Sequence, residues 1–305
     1  MKLSIVTTLY KSEEYIWEFY ERASSAAENL VGDDYEIIFV NDGSPDSSLD
    51  KAIELTHEHD NITVIDLSRN FGHHKAMMTG LEHSSGDHVF LIDSDLEEKP
   101  EWLTSFNLQM TKDNADMVYG IQEQRKGAFI EKVTGAIFYK IFRMLTNIAM
   151  PSNIVTARLM TRRYVNALIS HKERETCIGG LWIITGFTQT TKIVQKSSSS
   201  QTTYNLPRKL SLLVNAITSF SSLPLVYTFY IGLLLSLSAF IFIIKLVVQF
   251  FLMAKPPDGY TSIITSIWFF SGLIILFLGI QGIYLSKIFT ETKRRPYTII
   301  KQIYT

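Results

Sequence analysis

Two acidic residues follow an apolar segment of the chain. The segment His88–Asp93 has the composition of a β-strand and ends on Asp93, and Asp95 lies one residue beyond Ser94. Because side chains alternate faces along an extended chain, we expect the carboxylates of Asp93 and Asp95 to point the same way. Like charges held this close repel each other unless a cation lies between them, and hard divalent cations prefer oxygen ligands. The pattern therefore predicts a metal site for Mg²⁺ or Mn²⁺.

An isolated Asp-x-Asp more often only caps the helix that follows it. The surrounding sequence favours chemistry instead, because Glu97 stands at the next alternate position and Pro100 opens a helix. The other apolar segments in this part of the chain also end in polar residues. Ligands of open α/β sheets bind at the carboxyl ends of the strands, so these polar residues are candidates for one shared site.

Apolar, β-branched segments alternate with helical stretches over about the first 205 residues. The predicted strands are Leu3–Leu9, Tyr35–Val40, Ile62–Leu67, His88–Asp93 and Asp116–Gly120. Helices are predicted over residues 12–30, 47–59, 73–84 and 100–112, with Ser12 and Ser47 as N-caps. This order predicts an α/β fold with a mainly parallel sheet covered by helices.

The composition changes sharply after residue 222, where the chain becomes overwhelmingly apolar. Leu225–Val248 and Ile263–Ser286 are each long enough, at about 1.5 Å per residue, to cross a hydrocarbon core of about 30 Å. The link between them, residues 255–260, is short and rich in turn formers. We therefore predict a two-helix transmembrane hairpin over residues 223–288.

Basic residues flank this hairpin. Arg208 and Lys209 precede the first span, and the second is followed by Lys293, Arg294 and Arg295. The positive-inside rule therefore predicts a multi-pass protein of the inner membrane, with the catalytic domain and both termini in the cytoplasm. Residues 289–305 would form a cytoplasmic basic tail.

The segment before the hairpin divides into two predicted parts. The run Ser197–Ser200, continued by Gln201 and two threonines, reads as a mobile linker or, alternatively, as a lid over bound substrate. Residues 206–222 have the pattern of an amphipathic helix that lies on the membrane surface.

The overall composition excludes several classes of site. A net charge of -1 favours no polyanionic partner, so we expect no nucleic-acid ligand. A single cysteine, Cys177, excludes an intrachain disulfide and a cysteine-based zinc cluster, and we expect it to be structural. The first ten residues read as a strand, so no cleavable signal peptide is expected.

Further polar segments stand after the other predicted strands. Asn41-Asp42-Gly43-Ser44 forms a predicted tight turn after the second strand, and Thr7-Thr8-Leu9-Tyr10 ends the first. Together with Asp93-Ser94-Asp95, these residues resemble the inverting family 2 glycosyltransferases, which have the Rossmann-like GT-A fold. The segments Ser68–Gly72 and Val118–Gly120, with the C-terminal hairpin, narrow the resemblance to the polyprenyl-phosphate glycosyltransferases, such as bactoprenol glucosyltransferases and dolichol-phosphate mannose synthases.

The resemblance implies a reaction and its partners. A single sugar would pass, with inversion, from a nucleotide sugar to a polyprenyl phosphate such as undecaprenyl phosphate at the cytoplasmic membrane face. We expect UDP-glucose or another UDP-hexose as the donor, with GDP-mannose as the alternative. The resemblance further implies contact with the bilayer, a homo-oligomer and a separate flippase partner.

The resemblance also assigns site residues. The nucleotide sugar is expected at Thr7, Leu9, Tyr10, Asp42, Asp93 and Ser94. The metal and diphosphate site is expected at Asp93, Asp95 and Glu97, although relatives commonly carry Gln at the third position.

The reaction needs positive charge rather than a strong base. A phosphate monoester has a second pKa of about 6 and is already a nucleophile at neutral pH. Stabilising the departing diphosphate is a task for a metal and for basic side chains. By resemblance the candidates are Arg125, Lys132 and Arg158, and for each an ordinary structural or solvated role is the alternative.

Two other functions fit parts of the sequence. A processive polysaccharide synthase is disfavoured because no Gln-x-x-Arg-Trp motif is found. A non-catalytic membrane partner that binds nucleotide sugars is suggested by departures from the family pattern at Gln122, Thr156 and Gly179. The intact carboxylates of Asp42 and the Asp93–Asp95 pair argue against that alternative.

His73 and His74 are adjacent, so no two-histidine metal site is expected.

Overall fold

A computed structural model describes residues 2–123, 140–148, 151, 153–173, 178–196, 206–253 and 259–305. The chain divides into two compact units. The first comprises Met1–Lys140, Ile148–Asn205 and Arg294–Thr305, and the second comprises Ile141–Asn147 and Leu206–Lys293.

The first unit is built on one eight-stranded sheet. Its strands are β1 (Leu3–Leu9), β2 (Tyr35–Asn41), β3 (Ile62–Leu67), β4 (His88–Leu91), β5 (Met117–Gln122), β6 (Ile154–Thr161), β7 (Gln189–Val194) and β8 (Ile300–Tyr304). Their spatial order is β7-β5-β6-β4-β1-β2-β3-β8. The central strands β4, β1, β2 and β3 are parallel, as are β5 and β7, whereas β6 and β8 run antiparallel to their neighbours.

Helices connect the strands. They are α1 (Ile16–Val31), α2 (Ser48–Glu58), α3 (His73–His83), α4 (Trp102–Asp113), α5 (Arg162–Ile169) and α6 (Ile178–Ile184). One core cluster includes side chains of β1, β2, α1 and α4. On α3, Gly80 lies directly over the sheet, because a Cβ there would come within 2.5 Å of Val6 and 2.9 Å of Val40. The mainly parallel α/β fold predicted from the sequence is confirmed.

The structure corrects several predicted boundaries. Strand β4 ends at Leu91, two residues earlier than predicted. Helix α1 begins at Ile16 with Tyr15 at the N-cap position, so Ser12 is not its cap. Instead, the Ser12 hydroxyl accepts a hydrogen bond from the backbone N–H of Tyr10. Strands β6, β7 and β8 were not predicted.

The second unit contains α7 (Leu206–Phe220), α8 (Leu223–Met253) and α9 (Tyr260–Thr292). Within the described residues, the segments Leu223–Phe242 and Ser266–Thr292 are long and apolar enough to cross a membrane, and neither is buried within the protein. The Tyr284 hydroxyl on α9 donates to the carbonyl of Ser221, and Lys287 Nζ donates to the carbonyl of Asn215. The predicted turn of the hairpin falls largely on residues 254–258, which lie outside the described residues.

Residues 289–305, predicted to form a cytoplasmic basic tail, are divided between the end of α9 and the first unit. Residues 294–305 belong to the first unit, and β8 pairs with β3 at the edge of the sheet. The strand Ile300–Tyr304 was not predicted because it follows a run of basic residues and has only five residues. An alternating pattern this short does not stand out in the sequence.

Candidate functional site

The carboxyl ends of the central parallel strands form one polar edge. Leu9, Asn41 and Asp66 stand side by side across β1, β2 and β3, and Leu91 ends β4 on the other side of β1. The loops that leave these strands carry most of the side chains predicted to bind substrate. Strand order and register therefore bring together residues that are distant in sequence.

Asp93 and Asp95 lie in a turn after β4 rather than in the strand itself. The Asp93 side chain is 20% exposed, whereas Asp95 is exposed and accepts a hydrogen bond from the backbone N–H of Glu97 at 3.0 Å. The alternation argument therefore does not apply to this pair, because the extended chain ends at Leu91. Leu96 has a positive φ of 57°, which fits a tight turn at this point.

His73, at the start of α3, contacts this acidic turn. Its Nε2 lies 3.3 Å from Asp93 Oδ1, and its Nδ1 lies 2.9 Å from the Thr8 hydroxyl. Burial alone would lower the pKa of His73, but the carboxylate of Asp93 outweighs it and raises that pKa above its ordinary value. His73 was considered from the sequence only as half of a two-histidine metal site, although its position as the first residue of a helix after β3 places it at the sheet edge.

Glu98 and Lys196 form a second charged pair beside the acidic turn. The fully buried Glu98 carboxylate accepts hydrogen bonds from the backbone N–H groups of Thr156 and Ala157, at 2.9 and 2.7 Å. Lys196 Nζ lies 3.1 Å from Glu98 and 3.5 Å from Glu97. Burial and the nearby Asp93 charge raise the pKa of Glu98 to about 7.

Neither Glu98 nor Lys196 was identified from the sequence. Both glutamates stand next to the acidic pair in the sequence. The assumption that side chains alternate faces from Asp93 onwards selected Glu97 instead of Glu98. Lys196 follows β7, a strand that was not predicted, so nothing in its local sequence placed it near the acidic turn.

Asp42 holds the turn between β3 and α3 in place. Its carboxylate is almost completely buried and accepts hydrogen bonds from the backbone N–H groups of Phe71 at 2.7 Å and Gly72 at 3.0 Å. Burial raises the pKa of Asp42 despite these bonds. Next to it, Gly43 has a φ of +60°, and a Cβ there would lie 2.5 Å from the backbone nitrogen of Asn70. The turn after β2 therefore packs directly against the loop after β3.

The other predicted nucleotide residues have different environments. Tyr10 is half exposed beside the turn, but Leu9 is a core residue whose carbonyl accepts the Asp42 N–H at 3.1 Å. The buried Thr7 hydroxyl has no hydrogen-bond partner among the residues described. Ser94 is buried and donates to the carbonyl of Thr8 at 3.0 Å, which ties the acidic turn to β1. Leu9 and Ser94 thus support the loops of the sheet edge through hydrogen bonds to neighbouring backbone.

The predicted basic residues are not brought together within the described part of the chain. Arg125 and Lys132 lie outside the described residues. Arg158 is buried beneath the Trp182 ring and donates to the carbonyls of Thr156 and Val155, at 2.8 and 2.9 Å. Burial lowers the pKa of Arg158 to about 9. Its guanidinium is therefore enclosed by the protein rather than exposed at the sheet edge.

The acidic turn fits a divalent cation in part. Asp93 Oδ1 is buried and faces His73 Nε2 at 3.3 Å without a well-aligned hydrogen bond among the described residues, so a metal cation would compete with His73 for this oxygen. However, no group of three His, Cys, Asp or Glu side chains in the described ranges is arranged to hold a metal. The predicted trio is not assembled, because Glu97 is oriented towards Lys196. Asp93 and Asp95, one residue apart in the acidic turn, remain the predicted metal ligands.

The comparisons with known proteins identify the family. Residues 4–169 match the model described as glycosyl transferase family 2. The chain is 47% identical over its whole length to 89% of a Mycobacterium tuberculosis (strain CDC 1551 / Oshkosh) protein described as a glycosyltransferase. It is 30% identical, over 99% of both chains, to a prophage bactoprenol glucosyl transferase homolog of Escherichia coli (strain K12).

Among solved structures, residues covering 72% of this chain superpose on 66% of S. aureus TarS 1-349, solved in complex with UDP-GlcNAc, with a TM-score of 0.47 and 16% identity. That likeness is too distant to bear on substrate. The family model spans the sheet edge with Asp42, Asp93 and Asp95, and the relatives match the chain over nearly its full length. The protein is therefore an enzyme that belongs to glycosyl transferase family 2.

Proposed function

We propose that this enzyme transfers one sugar from a nucleotide sugar to the phosphate of a polyprenyl lipid, with inversion, at the cytoplasmic face of the membrane. The observation that carries the proposal is the full-length similarity to proteins named bactoprenol glucosyl transferase, which extends through both apolar helices. A very hydrophobic acceptor presents its phosphate only at the bilayer surface, so an enzyme with membrane helices is suited to it.

The sheet edge supports a division of roles between its two sides. The turn around Asp42, with Tyr10 nearby, would hold the nucleoside, because a carboxylate retains acceptor capacity after two backbone bonds. Asp93 and Asp95 would hold Mg²⁺ or Mn²⁺ together with the donor diphosphate. When bound, that cation supplies positive charge that stabilises the departing diphosphate.

The chain supplies cations of its own on the same side. His73 contacts Asp93, and Lys196 contacts Glu97 and Glu98, so both offset the negative charge of the acidic turn. The acceptor phosphate is an adequate nucleophile at neutral pH, so the proposed reaction requires no activated base. Arg158 would add a buried positive potential, while Arg125 and Lys132 stay candidates for phosphate contacts.

The connectivity of the chain supports the proposed topology. The chain leaves the first unit at Asn205 and returns to it at Arg294, after the two apolar helices. If both helices cross the bilayer, the beginning of the first and the end of the second connect to the same domain. These two ends must therefore lie on the same side of the membrane. Together with the flanking basic residues, this supports a two-span hairpin with a cytoplasmic catalytic domain. A homo-oligomer and a separate flippase partner also belong to this proposal.

The proposed donor is a nucleotide hexose. UDP-glucose or another UDP-hexose is our choice, and GDP-mannose is the alternative. Sugar hydroxyls are recognised by a few loop side chains, which the family fold does not specify.

The experiment that tests the function is transfer of labelled sugar from a panel of UDP and GDP donors to undecaprenyl phosphate. The full-length protein is assayed with Mg²⁺, with Mn²⁺ and with a chelator. We expect a lipid-extractable product that the chelator abolishes and that Asp95→Ala no longer forms, although the variant stays folded and membrane-bound. Nucleotide binding without any product would favour a non-catalytic binding partner, and full activity of Asp95→Ala would refute the metal site.

A further inference from the structure

The C-terminal segment after the second apolar helix is built into the catalytic sheet. Strand β8 pairs antiparallel with β3, and the backbone N–H of Ser68 donates to the carbonyl of Ile299 at 2.9 Å. Two side chains fasten the approach to the strand. The Tyr297 hydroxyl donates to Glu82 at 2.6 Å, and the hydroxyls of Thr298 and Thr79 lie 2.8 Å apart. The segment is therefore part of the domain that carries the site.

Lys301 stands at an irregularity in this strand pair. The register pairs Leu67 with Ile300 but Asp66 with Gln302, so Lys301 is a bulged residue with no residue opposite it on β3. Such bulges redirect a side chain and are over-represented next to active sites. Here Lys301 Nζ lies 3.1 Å from Asp66 Oδ2.

Asp66 is a buried carboxylate that depends on this contact. Its side chain is 3% exposed, and apart from Lys301 its Oδ2 has no hydrogen-bond partner in the described part of the chain. The Lys301 side chain is itself 63% exposed, but the Asp66 carboxylate is buried, so loss of Lys301 would leave that carboxylate without its counter-charge. The Asp66 carboxylate is therefore expected to shift its position if Lys301 is lost.

Asp66 is linked directly to the turn that carries Asp42. Asn41 Nδ2 donates to Asp66 Oδ1 at 2.8 Å, and Asn41 Oδ1 accepts the backbone N–H of Ser44 at 3.2 Å. The Ser44 hydroxyl in turn accepts the backbone N–H of Lys11 at 2.8 Å. A continuous set of contacts thus runs from the C-terminal strand to both loops on the nucleotide side of the sheet edge.

We propose that β8 is a positioning element of the donor site, in which Lys301 acts through Asp66 and Asn41 to fix the turn at Asp42–Ser44. The proposal rests on the proposed function in one respect: this turn holds the nucleoside of the donor. It follows that the segment emerging from the second apolar helix contributes to donor affinity. Anchoring in the membrane and recognition of a soluble nucleotide are then linked through one short strand.

The test compares variants of the full-length protein for UDP and GDP binding and for the steady-state KM and kcat of transfer. Lys301→Met is expected to raise the nucleotide Kd and the donor KM about tenfold, with kcat within about twofold of the unmodified enzyme. Lys301→Arg keeps the charge and should restore both constants. Gln302→Met, at the next residue of the same strand, is the matched control and should leave them unchanged.

A charge-neutral double variant distinguishes the effect of the Lys301–Asp66–Asn41 contacts from a general weakening of the strand. Asp66→Asn combined with Lys301→Met removes the buried charge together with its partner, so nucleotide affinity should recover to within about threefold of the unmodified enzyme. Unchanged nucleotide affinity in Lys301→Met overturns the proposal, as does a loss in Lys301→Met that Lys301→Arg does not restore. Because nucleotide binding is read without lipid, an enzyme that binds nucleotide but glycosylates no lipid would refute the proposed function alone.

Discussion

The two sides of the sheet edge neutralise their carboxylates in different ways. On the nucleotide side, Asp42 is satisfied mainly by backbone N–H groups, and Asp46 accepts from the Ser44 and Ser48 hydroxyls. On the metal side, Asp93 lies beside the His73 side chain, and Glu98 lies beside the Lys196 side chain in addition to its two backbone hydrogen bonds. The first arrangement is fixed by the fold, whereas the second leaves charge that substrate and metal can rearrange.

This difference suggests that the two sides contribute to different steps. Bonds from the backbone hold a recognition surface in one geometry, so that little entropy is lost when the nucleotide binds. Carboxylates that lie beside side-chain cations produce a strong local field, which is suited to a reaction that moves charge onto a leaving group. Substitutions on the metal side should therefore lower kcat, and substitutions on the nucleotide side should raise donor KM or reduce stability.

The largest effect is expected from Asp93→Asn. The amide keeps the shape of the side chain but removes the charge at the buried oxygen for which a metal cation would compete with His73. We expect kcat to fall about 10³-fold, with a smaller change in nucleotide affinity measured without metal. Asp50→Asn, on the exposed face of α2, is the control. If Asp93→Asn changed only donor KM, the proposed division between the two sides would be wrong.

Gly43→Ala tests the nucleotide side through the backbone. Its positive φ would cost about 1–3 kcal/mol of unfolding free energy, and its Cβ would also press on the backbone of Arg69 and Asn70. Gly32 has a φ of +64° with no atom within 4 Å of the corresponding Cβ, which makes Gly32→Ala a matched control for strain alone. Thermal unfolding should detect destabilisation in both variants, but only Gly43→Ala should raise donor KM. Equal KM values for the two would contradict the packing argument.

The parallel core could be predicted because its signals are local. β1 and β3 have the predicted bounds, since β-branched runs bounded by turns carry their own pattern. The carboxylates at the strand ends were identified for the same reason. Strands β6, β7 and β8 were missed because their position depends on partners far away in the sequence.

The missed site residues follow from the missed strands. Lys196 reaches the acidic turn only because β7 pairs with β5, and Thr156 and Ala157 meet Glu98 only because β6 lies beside β4. Lys301 contacts Asp66 through a shift in register that no sequence pattern predicts. Residue types near the strand ends were therefore predictable, whereas the counter-charges supplied by distant strands required the structure.

Lys196→Met tests whether the side-chain cations of the metal side take part in the reaction. Without Lys196, the carboxylates of Glu97 and Glu98 lose a positive neighbour, and we expect kcat to fall about tenfold with donor KM little changed. Lys196→Arg should recover most of the loss. Lys192→Met, within β7 itself, is the control, and a comparable loss in that variant would indicate a structural rather than an electrostatic role.

The smallest effect concerns Asp46 and the pH dependence of stability. Although burial opposes it, hydrogen bonds from Ser44, Ser48 and the Glu13 N–H lower the pKa of Asp46 to about 2. A carboxyl whose pKa is lower in the folded state stabilises the fold above its unfolded pKa of about 3.9, and this contribution is lost as the pH falls towards 2.

We therefore expect Asp46→Asn to be about 1 kcal/mol less stable than the unmodified protein above pH of about 4, after allowance for solvent screening. The two should converge as the pH approaches about 2, because protonation then removes the same charge from the native side chain. Unfolding midpoints followed by tryptophan fluorescence from neutral to acid pH measure the difference, with Asp50→Asn as the exposed control. A difference independent of pH would mean that shape rather than charge holds the loops of the nucleotide side together.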